Sequence, residues 1–286
     1  MFGCWQMSEQ HPAIVAITNP EPGQALPRLK VQQDGRGVLT LTLNDPTRFN
    51  VLSTEMLTDL QAAVDQAARD PDLRVLVIAA EGKAFCAGHD LKAMAALASS
   101  AQAPSPEHYL PLFQQCSRFM MSLLKLPVPV VAKVQGLATA AGCQLVAQAD
   151  LAVASHAATF ATSGIRYGLF CATPSVPLLL NVPAKRAMEM LLTGEFISAE
   201  TALAQGLLNR IAAPDNLDAE VESLLQSLLK QPKEALAMGK ALVYQQRDLG
   251  WEASYQLAAQ TMAVNMAHAV AQEGALAFVE KRTPIW

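Results

Sequence analysis

The chain lacks the charge pattern of a nucleic-acid-binding protein. Its 286 residues contain 21 Lys and Arg against 25 Asp and Glu, which gives a formal net charge of −4. This composition leaves no basic footprint for a phosphate backbone, so we expect no nucleic-acid partner. An anionic ligand must instead meet local positive groups, because the overall field of the protein does not attract it.

Long apolar runs and an N-terminal basic segment are also lacking. No apolar run reaches the roughly 18 residues that a membrane span needs, so no membrane association is expected. The first 27 residues contain no Lys or Arg, which supports neither a signal peptide nor an Arg-rich transit peptide. We therefore expect a cytoplasmic location, of the bacterial type. Residues 1–30, which carry several prolines, are predicted to form an extended arm.

Paired cysteines and metal-ligand spacings are missing as well. The five cysteines include no CxxC pair, so buried, reduced thiols are expected rather than a disulfide framework. No metal-ligand spacing and no Walker sequence occurs. We expect no metal and no separate cofactor.

Apolar residues make up 51% of the chain and charged residues 16%, so a sizeable core is available. Residues 37–44 alternate apolar and polar side chains, which predicts a strand. Residues 73–80, 128–135 and 151–154 are nearly all apolar, as strands covered on both faces are. Helical patterns lie between them, over 54–69, 109–126 and 138–147. This alternation predicts an α/β fold with a mainly parallel sheet.

The second half of the chain is predicted to be mostly helical. Helical patterns cover residues 184–192, 199–205, 217–229, 233–249 and 251–267. Residues 95–106 are small and polar enough to predict a mobile loop. The alanines and Met94 of residues 93–103 suit an adaptable apolar pocket.

Two strand-to-helix turns carry the chemistry. The first, over residues 82–91, follows the predicted strand 73–80 and contains Gly88, which permits unusual φ/ψ or a close approach. The second, over 134–145, follows the predicted strand 128–135 and is rich in Gly and Ala. Unpaired N–H groups at such helix starts favour negative charge. Two turns side by side can aim two N–H groups at one oxygen, which is an oxyanion hole.

Plainer interpretations exist for each of these features. A turn of small residues after a strand is usually tight packing, and a single histidine such as His89 is more often a surface or hydrogen-bonded residue. Cys143 and Cys171 taken alone are most often core residues. Asp90 is expected to cap a helix turn and Asp150 to be structural.

The order and spacing of several segments resemble the crotonase (enoyl-CoA hydratase/isomerase) superfamily. The similarity runs from about residue 37 to the end of the chain, through LNDPTRFNVLS, RVLVIAAEGKAFCAGHDLKAM, PVPVVAKVQGLATAAGCQLVAQADLAVAS, FATSGIRYGL, AKRAMEMLLTGEFISAETALAQGLLNRI and FVEKR. The resemblance implies a ClpP-like spiral of ββα units over residues 31–205. It also implies a C-terminal helical trimerisation region over residues 206–286, with trimers or dimers of trimers as the assembly.

The same resemblance implies an acyl-CoA thioester as the partner molecule, with CoA entering as part of the substrate. It places an oxyanion hole at the N–H groups of His89 and Ala141, where most members have glycine at the second position. It places Lys92 near the CoA phosphates, and Lys281 or Arg282 near CoA from a neighbouring subunit. A solvated helix end is the alternative for those last two residues. The further substrate-binding positions are expected to be Ala87, Gly142, Gly164 and Cys171.

Both glutamates that enoyl-CoA hydratases use are replaced in this chain. The resemblance aligns them with Gln144 and Gly164, and neither residue exchanges a proton near neutral pH. Each acid or base group typically contributes about 10²–10⁴-fold, so ordinary hydration is not expected. Gln144 can still orient a water or a substrate through hydrogen bonds.

Candidate replacements and alternative functions follow from this loss. His89 titrates in the right range, whereas Cys171, Tyr167 and Thr173 are expected to line the acyl pocket. The leading hypothesis is a lyase or isomerase that stabilises a thioester enolate with unusual acid/base residues. The alternatives are a decarboxylase of malonyl-type thioesters, suggested by the AGHD segment, and an acyl-CoA-binding protein without catalysis. A scaffold whose trimer surface is the functional part is a more remote hypothesis.

Overall fold

The computed structural model describes residues 27–100 and 105–286. In this part of the chain, two sheets contain all the strands. The larger has the spatial order β1 (Leu29–Gln33), β2 (Val38–Leu43), β3 (Val75–Ala80), β5 (Val130–Val134), β7 (Leu151–Ser155) and β10 (Arg210–Ala212). The smaller has the order β4 (Ala84–Cys86), β6 (Leu137–Thr139), β8 (Thr159–Ala161) and β9 (Ile197–Ser198).

Parallel pairing dominates both sheets, as the sequence predicted. Only β1 with β2 and β8 with β9 pair antiparallel within the described residues. The helices are α1 (Thr54–Ala67), α2 (Leu91–Ser100), α3 (Pro106–Lys125), α4 (Ala141–Gln148), α5 (Ala172–Asn181), α6 (Ala184–Thr193), α7 (Ala199–Ala204), α8 (Leu217–Leu229), α9 (Lys233–Gln245), α10 (Trp251–Ala267) and α11 (Ala269–Glu280). None of these helices is long and apolar enough to cross a membrane.

The chain repeats one unit as it winds between the two sheets. A strand of the larger sheet leads directly into a strand of the smaller sheet and then into a helix or turn. The unit occurs as β3–β4–α2, β5–β6–α4 and β7–β8 followed by a short 3₁₀ helix, Ser163–Tyr167. The predicted spiral of ββα units, with a helical C-terminal region, is therefore confirmed.

The central strands are apolar throughout because both faces of the larger sheet are covered. Leu76 and Ile78 of β3 point into the main core, whereas Val75 and Val77 point to the other face. That second face packs against Val221 and its neighbours on α8. Alternate residues of one strand are thus buried in two separate clusters. The strand therefore lacks the alternation of apolar and polar residues that is seen when only one face of a sheet is buried.

The first helix forms as predicted. The Ser53 side chain accepts a hydrogen bond from the Met56 N–H and caps the helix start. One face of this helix is buried through Met56, Leu57, Leu60, Val64 and Ala67, and Ala63 is half-buried. This helix packs on α3, and together they cover one side of the spiral.

Several elements differ from those predicted from the sequence. Strand β1 begins at Leu29, inside the predicted arm, and β10 is a strand inside the predicted helical tail. Residues 95–100 of the predicted loop continue α2, because Ala- and Leu-rich segments favour helix. Residues 101–104 and residues 1–26 of the predicted arm lie outside the described residues. Helix α4 begins at Ala141, since the preceding residues 137–139 join the smaller sheet as β6.

Two helices were not predicted. Helix α5 contains Pro177, and α11 follows α10 after a single intervening residue. The chain between β8 and α6 therefore holds more regular structure than its prolines indicate.

A buried ionic cluster fixes α9 to the core. Lys240 Nζ lies 2.6 Å from Asp150 Oδ2 and donates to the carbonyls of Leu123 and Val128 at 2.9 Å each. The Tyr244 hydroxyl donates to Asp150 Oδ1 at 2.6 Å, and burial lowers the pKa of Lys240. Asp150 is thus structural, as expected from the sequence.

We expect Lys240→Ala to lower the free energy of unfolding by about 3 kcal/mol, because it leaves the buried Asp150 carboxylate without its cation. Arg186→Ala is the matched control. Its ion pair with Glu189 is exposed, so the loss should stay below about 0.5 kcal/mol. Denaturant unfolding of the two variants checks this, and equal losses would contradict it.

Candidate active site at the ends of three short strands

Three segments that follow strands of the smaller sheet meet at one edge. Cys86 of β4 pairs with Ala138 of β6, and Ala138 pairs in turn with Phe160 of β8. Because these strands are parallel, their carboxyl ends lie on the same side. The chain that leaves each strand, at Ala87, Ala140 and Thr162, therefore converges on a common region.

Gly88 brings the first two segments into direct contact. Its φ is +87°, and a Cβ at this position would lie 2.8 Å from Ala140 Cβ and 2.9 Å from Ala141 N. Only glycine tolerates both this backbone conformation and this approach. The Gly88 carbonyl accepts from the Leu52 N–H at 2.8 Å, which holds the loop in place.

The N–H groups of His89 and Ala141 are the two predicted oxyanion donors. Neither has an acceptor among the described residues. Ala141 opens α4, so its N–H lies at the positive end of the helix dipole. Ala140 has φ 52° and ψ −122°, a conformation that L residues rarely adopt, just before the helix begins. Both N–H groups belong to residues that line one cavity.

This cavity has a volume of about 700 Å³, which is in the range of small-molecule sites. Most of its surface is apolar, and it contains several aromatic rings. Its walls are Thr47, Arg48, Phe49, Val51, Ala87, His89, Asp90, Leu91, Lys92, Phe113, Thr139, Ala140, Ala141, Ser163, Gly164, Arg166, Tyr167, Leu169, Phe170, Cys171, Ala172, Thr173, Pro174 and Phe196.

Most of the residues predicted from the sequence line this cavity, and three do not. Ala87, His89, Lys92, Ala141, Gly164 and Cys171 belong to its walls, as do Tyr167 and Thr173. Gly142, Gln144 and Lys281 are not among the lining residues.

Gly142 has a packing role. A Cβ at Gly142 would lie 2.0 Å from the Cys86 carbonyl oxygen, so this glycine lets α4 pack against the end of β4. It positions the neighbouring Ala141 N–H rather than lining the cavity itself.

Gln144 is buried one turn into α4, with 4% of its surface exposed. Its Oε1 has no hydrogen-bond partner among the described residues. The side chain therefore packs behind the cavity wall, within the helix that supplies the Ala141 N–H.

Gly164 leaves no room for a side chain. A Cβ there would lie 2.5 Å from the Leu169 carbonyl oxygen and 2.9 Å from Cys171 Sγ. The segment from Gly168 to Cys171 thus fills the space that an acidic side chain at this position would need.

His89 is held by contacts from two distant parts of the chain. Its Nδ1 lies 3.3 Å from the Leu52 carbonyl oxygen, and its ring meets Phe113 edge-on at 5.4 Å between centroids. Burial lowers the pKa of His89, and the hydrogen bond to Leu52 offsets only part of that effect. The imidazole is therefore neutral near pH 7.

The cysteines behave as buried thiols. Burial raises the pKa of Cys143 to about 12, and burial also raises the pKa of Cys171, although a hydrogen bond with the Gly164 backbone partly offsets this. All four cysteines of the described residues are free and buried, as the sequence predicted. Thiolate chemistry at neutral pH is therefore disfavoured at Cys171.

Positive groups lie on two sides of the cavity. Arg48 pairs with Asp90, whose Oδ1 also accepts from the N–H groups of Lys92 and Ala93 at the start of α2. Asp90 is thus the helix cap that the sequence indicated. Arg166 lies over the Phe196 ring, with Cζ 5.9 Å from its centroid.

The C-terminal basic residues lie apart from this cavity. Lys281 ends α11 with φ 55°. Arg282 forms ion pairs with Glu273 and Glu280. Their predicted contact with CoA from a neighbouring subunit stays a prediction.

Several lining residues were not predicted from the sequence. Arg48 and Ser163 lie inside segments that carry the family resemblance, so the sequence could have indicated them as site residues. The Thr139 and Ser163 hydroxyls bond each other at 2.7 Å, which only the alignment of β6 with β8 brings about. Phe113 and Phe196 come from distant elements and have no local signal. Among the described residues, no cluster of His, Cys, Asp or Glu has the arrangement of a metal site.

Comparison with known proteins agrees with this architecture. The Enoyl-CoA hydratase/isomerase family matches residues 33–286. A crystal structure of an enoyl-CoA hydratase from Mycobacterium smegmatis is 51% identical, with a TM-score of 0.87 over 91% of this chain and 99% of that one. The human enoyl-CoA hydratase domain-containing protein 3 structure is 41% identical, with a TM-score of 0.85 over 91% of this chain and 100% of that one.

The curated relatives correct one expectation. The mouse enoyl-CoA hydratase domain-containing protein 3 is 42% identical over 93% of this chain and 87% of its own length, and its name places it in mitochondria. Four further vertebrate proteins share that name and location. The expected cytoplasmic location is therefore contradicted, because the lack of Lys and Arg near the N-terminus does not decide the compartment.

The same relatives confirm a finer prediction. The FATSG segment, the GLFC segment that follows it and the RTPIW ending predict the subgroup of enoyl-CoA hydratase domain-containing protein 3. The mouse and human proteins of that name are 42% and 41% identical to this chain over most of its length. The spiral of ββα units, the converging strand ends and these similarities agree, and the chain belongs to the enoyl-CoA hydratase/isomerase (crotonase) family.

Proposed function

We propose that this protein binds an acyl-CoA thioester and stabilises its enolate between the N–H groups of His89 and Ala141. The observation that carries this proposal is the pair of free N–H groups that Gly88 brings together at one apolar cavity. The thioester oxygen becomes negatively charged as the enolate forms. Donors fixed at that position stabilise this charge, and each typically contributes about 3–4 kcal/mol.

The CoA end of the ligand is proposed to lie at the start of α2. Lys92 is exposed there, at the cavity, and Arg48 lies close by through its pair with Asp90. Phosphates attract such groups over short distances although the chain is acidic overall. CoA is part of the substrate in this proposal, so no separate cofactor is invoked.

Ordinary hydration is not the proposed reaction. Hydration needs an acid and a base around one water, whereas the two family positions hold an amide and a glycine. The structure adds that a glutamate cannot simply be restored at Gly164, because the Leu169 carbonyl and Cys171 Sγ occupy its place.

Decarboxylation of a malonyl-type thioester is the second candidate. Loss of CO₂ forms the enolate directly, so it needs the two N–H groups but no group that removes a proton from carbon. The free N–H pair and the absence of both glutamates favour it. Release of CO₂ from malonyl-CoA or methylmalonyl-CoA distinguishes this candidate from proton transfer.

We expect the purified protein to bind a chromophoric enoyl-CoA and shift its absorbance to longer wavelength, because the N–H pair draws electrons toward the thioester oxygen. We also expect crotonyl-CoA hydration at least about 10²-fold slower than that of a family member with both glutamates. A difference spectrum and the loss of enoyl absorbance check the two results. CoA without an acyl group is the control, since it lacks the carbonyl. Rapid hydration would contradict the loss of acid/base chemistry.

Ala141→Pro removes one of the two donors. Proline lacks this N–H, so the absorbance shift should disappear and turnover should fall about 10²–10³-fold. Because Ala140 has ψ −122° and Gly88 lies against the Ala141 nitrogen, the proline ring also strains this turn, and folding is checked first. Thr54→Pro, at the first residue of α1, is the matched control. An undiminished shift in Ala141→Pro, with folding intact by thermal melting, would refute the proposed hole.

Gly164→Ala tests the close packing behind the cavity. We expect it to lower the free energy of unfolding by about 1–3 kcal/mol, because the new methyl group displaces the Leu169 carbonyl or Cys171. Gly239→Ala is the control, since a Cβ at this helical glycine meets no atom within 4 Å. Thermal unfolding compares the two, and an unchanged midpoint in Gly164→Ala would be inconsistent with this packing.

We also propose that copies of this chain assemble through the C-terminal helices. Helix α10 has no buried residue, and Trp251, Met262 and Val264 are all mostly exposed. Phe278 and Val279 of α11 are exposed as well. Apolar surface of this extent is typical of an interface, and the crotonase resemblance implies that the partners are further copies of the chain.

Light scattering after size-exclusion chromatography tests this assembly. We expect a mass about three or six times the chain mass of 30.6 kDa. The double variant Met262→Glu/Val264→Glu should lower it, because two charges cannot be buried unpaired in the interface. Gln260→Glu on the same helix is the control, and a monomeric unmodified protein would contradict the assembly.

A further inference from the structure

The side chain of His89 presents a free nitrogen. The Leu52 carbonyl can only accept a hydrogen bond, so Nδ1, which lies 3.3 Å from its oxygen, carries the proton of the neutral ring. Nε2 then holds an unshared electron pair. The edge-on contact with Phe113 fixes the orientation of the ring.

This nitrogen is buried and has no hydrogen-bond partner among the described residues. Buried polar atoms are nearly always hydrogen-bonded, and the exceptions tend to mark functional sites. His89 is also a wall residue of the cavity. A ligand bound against the His89 ring would supply the missing partner of Nε2.

The position of Nε2 relative to the substrate is limited by covalent geometry. The backbone N–H of the same residue is one of the two proposed donors to the thioester oxygen. Nε2 of a histidine lies on the order of 5 Å from its own backbone nitrogen. The carbon next to the thioester carbonyl, two bonds from that oxygen, is thus within its reach.

We propose that Nε2 of His89 removes a proton from the carbon next to the thioester carbonyl, so that one residue supplies both an oxyanion donor and the base. This inference rests on the proposed function. It assigns the site to proton transfer at carbon, which covers exchange and double-bond migration, rather than to addition of water.

The proton transfer needs no further reactant. The C–H bond breaks, its electron pair forms the carbon–carbon double bond of the enolate, and the thioester oxygen takes the negative charge. The proton goes to Nε2, which makes an imidazolium. Return of a proton to the same carbon gives exchange with solvent, and return to the γ carbon of a 3-enoyl thioester gives the 2-enoyl isomer.

Four other polar side chains of the cavity, those of Asp90, Thr139, Ser163 and Cys171, are occupied or unreactive. Asp90 accepts hydrogen bonds from Lys92 and Ala93 and pairs with Arg48. Thr139 and Ser163 bond to each other. The thiol of Cys171 has a raised pKa because it is buried.

The pH dependence of the rate should have a defined direction. A base must be neutral, so the rate falls as the pH drops through the pKa of His89. Burial places that pKa below the usual value of about 6.5, so the rate should stay level at and above pH 6.5. The ionisable groups that share the cavity are Arg48, Asp90, Lys92, Arg166, Tyr167 and Cys171.

The two of those groups with shifted pKa values do not titrate in this window. Burial raises the pKa of Asp90, but hydrogen bonds from the Ala93 N–H, the Arg48 side chain and the Lys92 N–H outweigh it, and the pKa is lowered. The pKa of Cys171 is raised by burial.

The test uses 3-butenoyl-CoA with the full-length protein. Conversion to crotonyl-CoA is followed by enoyl absorbance, and deuterium uptake from D₂O by mass spectrometry. His89→Gln keeps the backbone N–H but removes the base, so we expect both rates to fall about 10²–10⁴-fold. The absorbance shift of a bound chromophoric thioester should stay within about two-fold of that of the unmodified protein. His156→Gln, at an exposed histidine paired with Glu200 outside the cavity, should leave both rates unchanged.

Each outcome has a separate meaning. Undiminished exchange in His89→Gln, or no exchange by the unmodified protein while the absorbance shift is present, would overturn the role of Nε2 and leave the proposed function standing. Loss of the shift in the unmodified protein would instead refute the proposed function. If His89→Gln does not fold, the pH–rate profile of the unmodified protein decides, and a rate that is independent of pH from 4.5 to 8 would overturn the proposal.

Discussion

The close approach of Gly88 to Ala140 and Ala141 is the constraint on which the site depends. Three parallel strands of the smaller sheet end side by side, but their loops converge only because residue 88 has no side chain and adopts φ +87°. Any Cβ there would push the start of α4 away from the loop that carries His89. The distance between the two N–H groups is therefore set by backbone packing, and the packing of Gly142 against the Cys86 carbonyl fixes the same helix from its other side.

A site built from backbone groups tolerates changes in the side chains around it. Ala141 has a backbone N–H just as a glycine would, so the proposed anion site does not depend on which of the two residues stands there. Acid and base groups are side chains and have no such protection, so an amide at Gln144 and no side chain at Gly164 are compatible with this fold but not with acid/base catalysis at those two positions. At Gly164 the chain from Gly168 to Cys171 occupies the place of a side chain, so a carboxylate there would require the backbone to move.

The four central strands of the larger sheet could be predicted from the sequence, whereas its edge strands β1 and β10 and the smaller sheet could not. Strands such as Val75–Ala80 are buried on both faces and form long apolar runs that stand out locally. Strands β4, β6 and β8 have three residues each, too few to show a period, and β6 was assigned to the following helix. Ala140 offers no side-chain cap to mark the start of α4. Helix α5 was missed because Pro177 lies inside it.

Residues that line the cavity could be predicted where the two strand-to-helix turns carry them, as for Ala87, His89 and Ala141. The sequence does not show which distant residues contact each of these side chains. The tautomer and the ring orientation of His89 depend on the Leu52 carbonyl and on Phe113, which lie 37 and 24 positions away in the chain. The Leu52 carbonyl holds the proton on Nδ1, and Nε2 has no hydrogen-bond partner among the described residues. Burial lowers the pKa of His89, so the ring is neutral. In the proposed mechanism, His89 acts as a base because two residues distant in the chain hold its ring beside the predicted anion site.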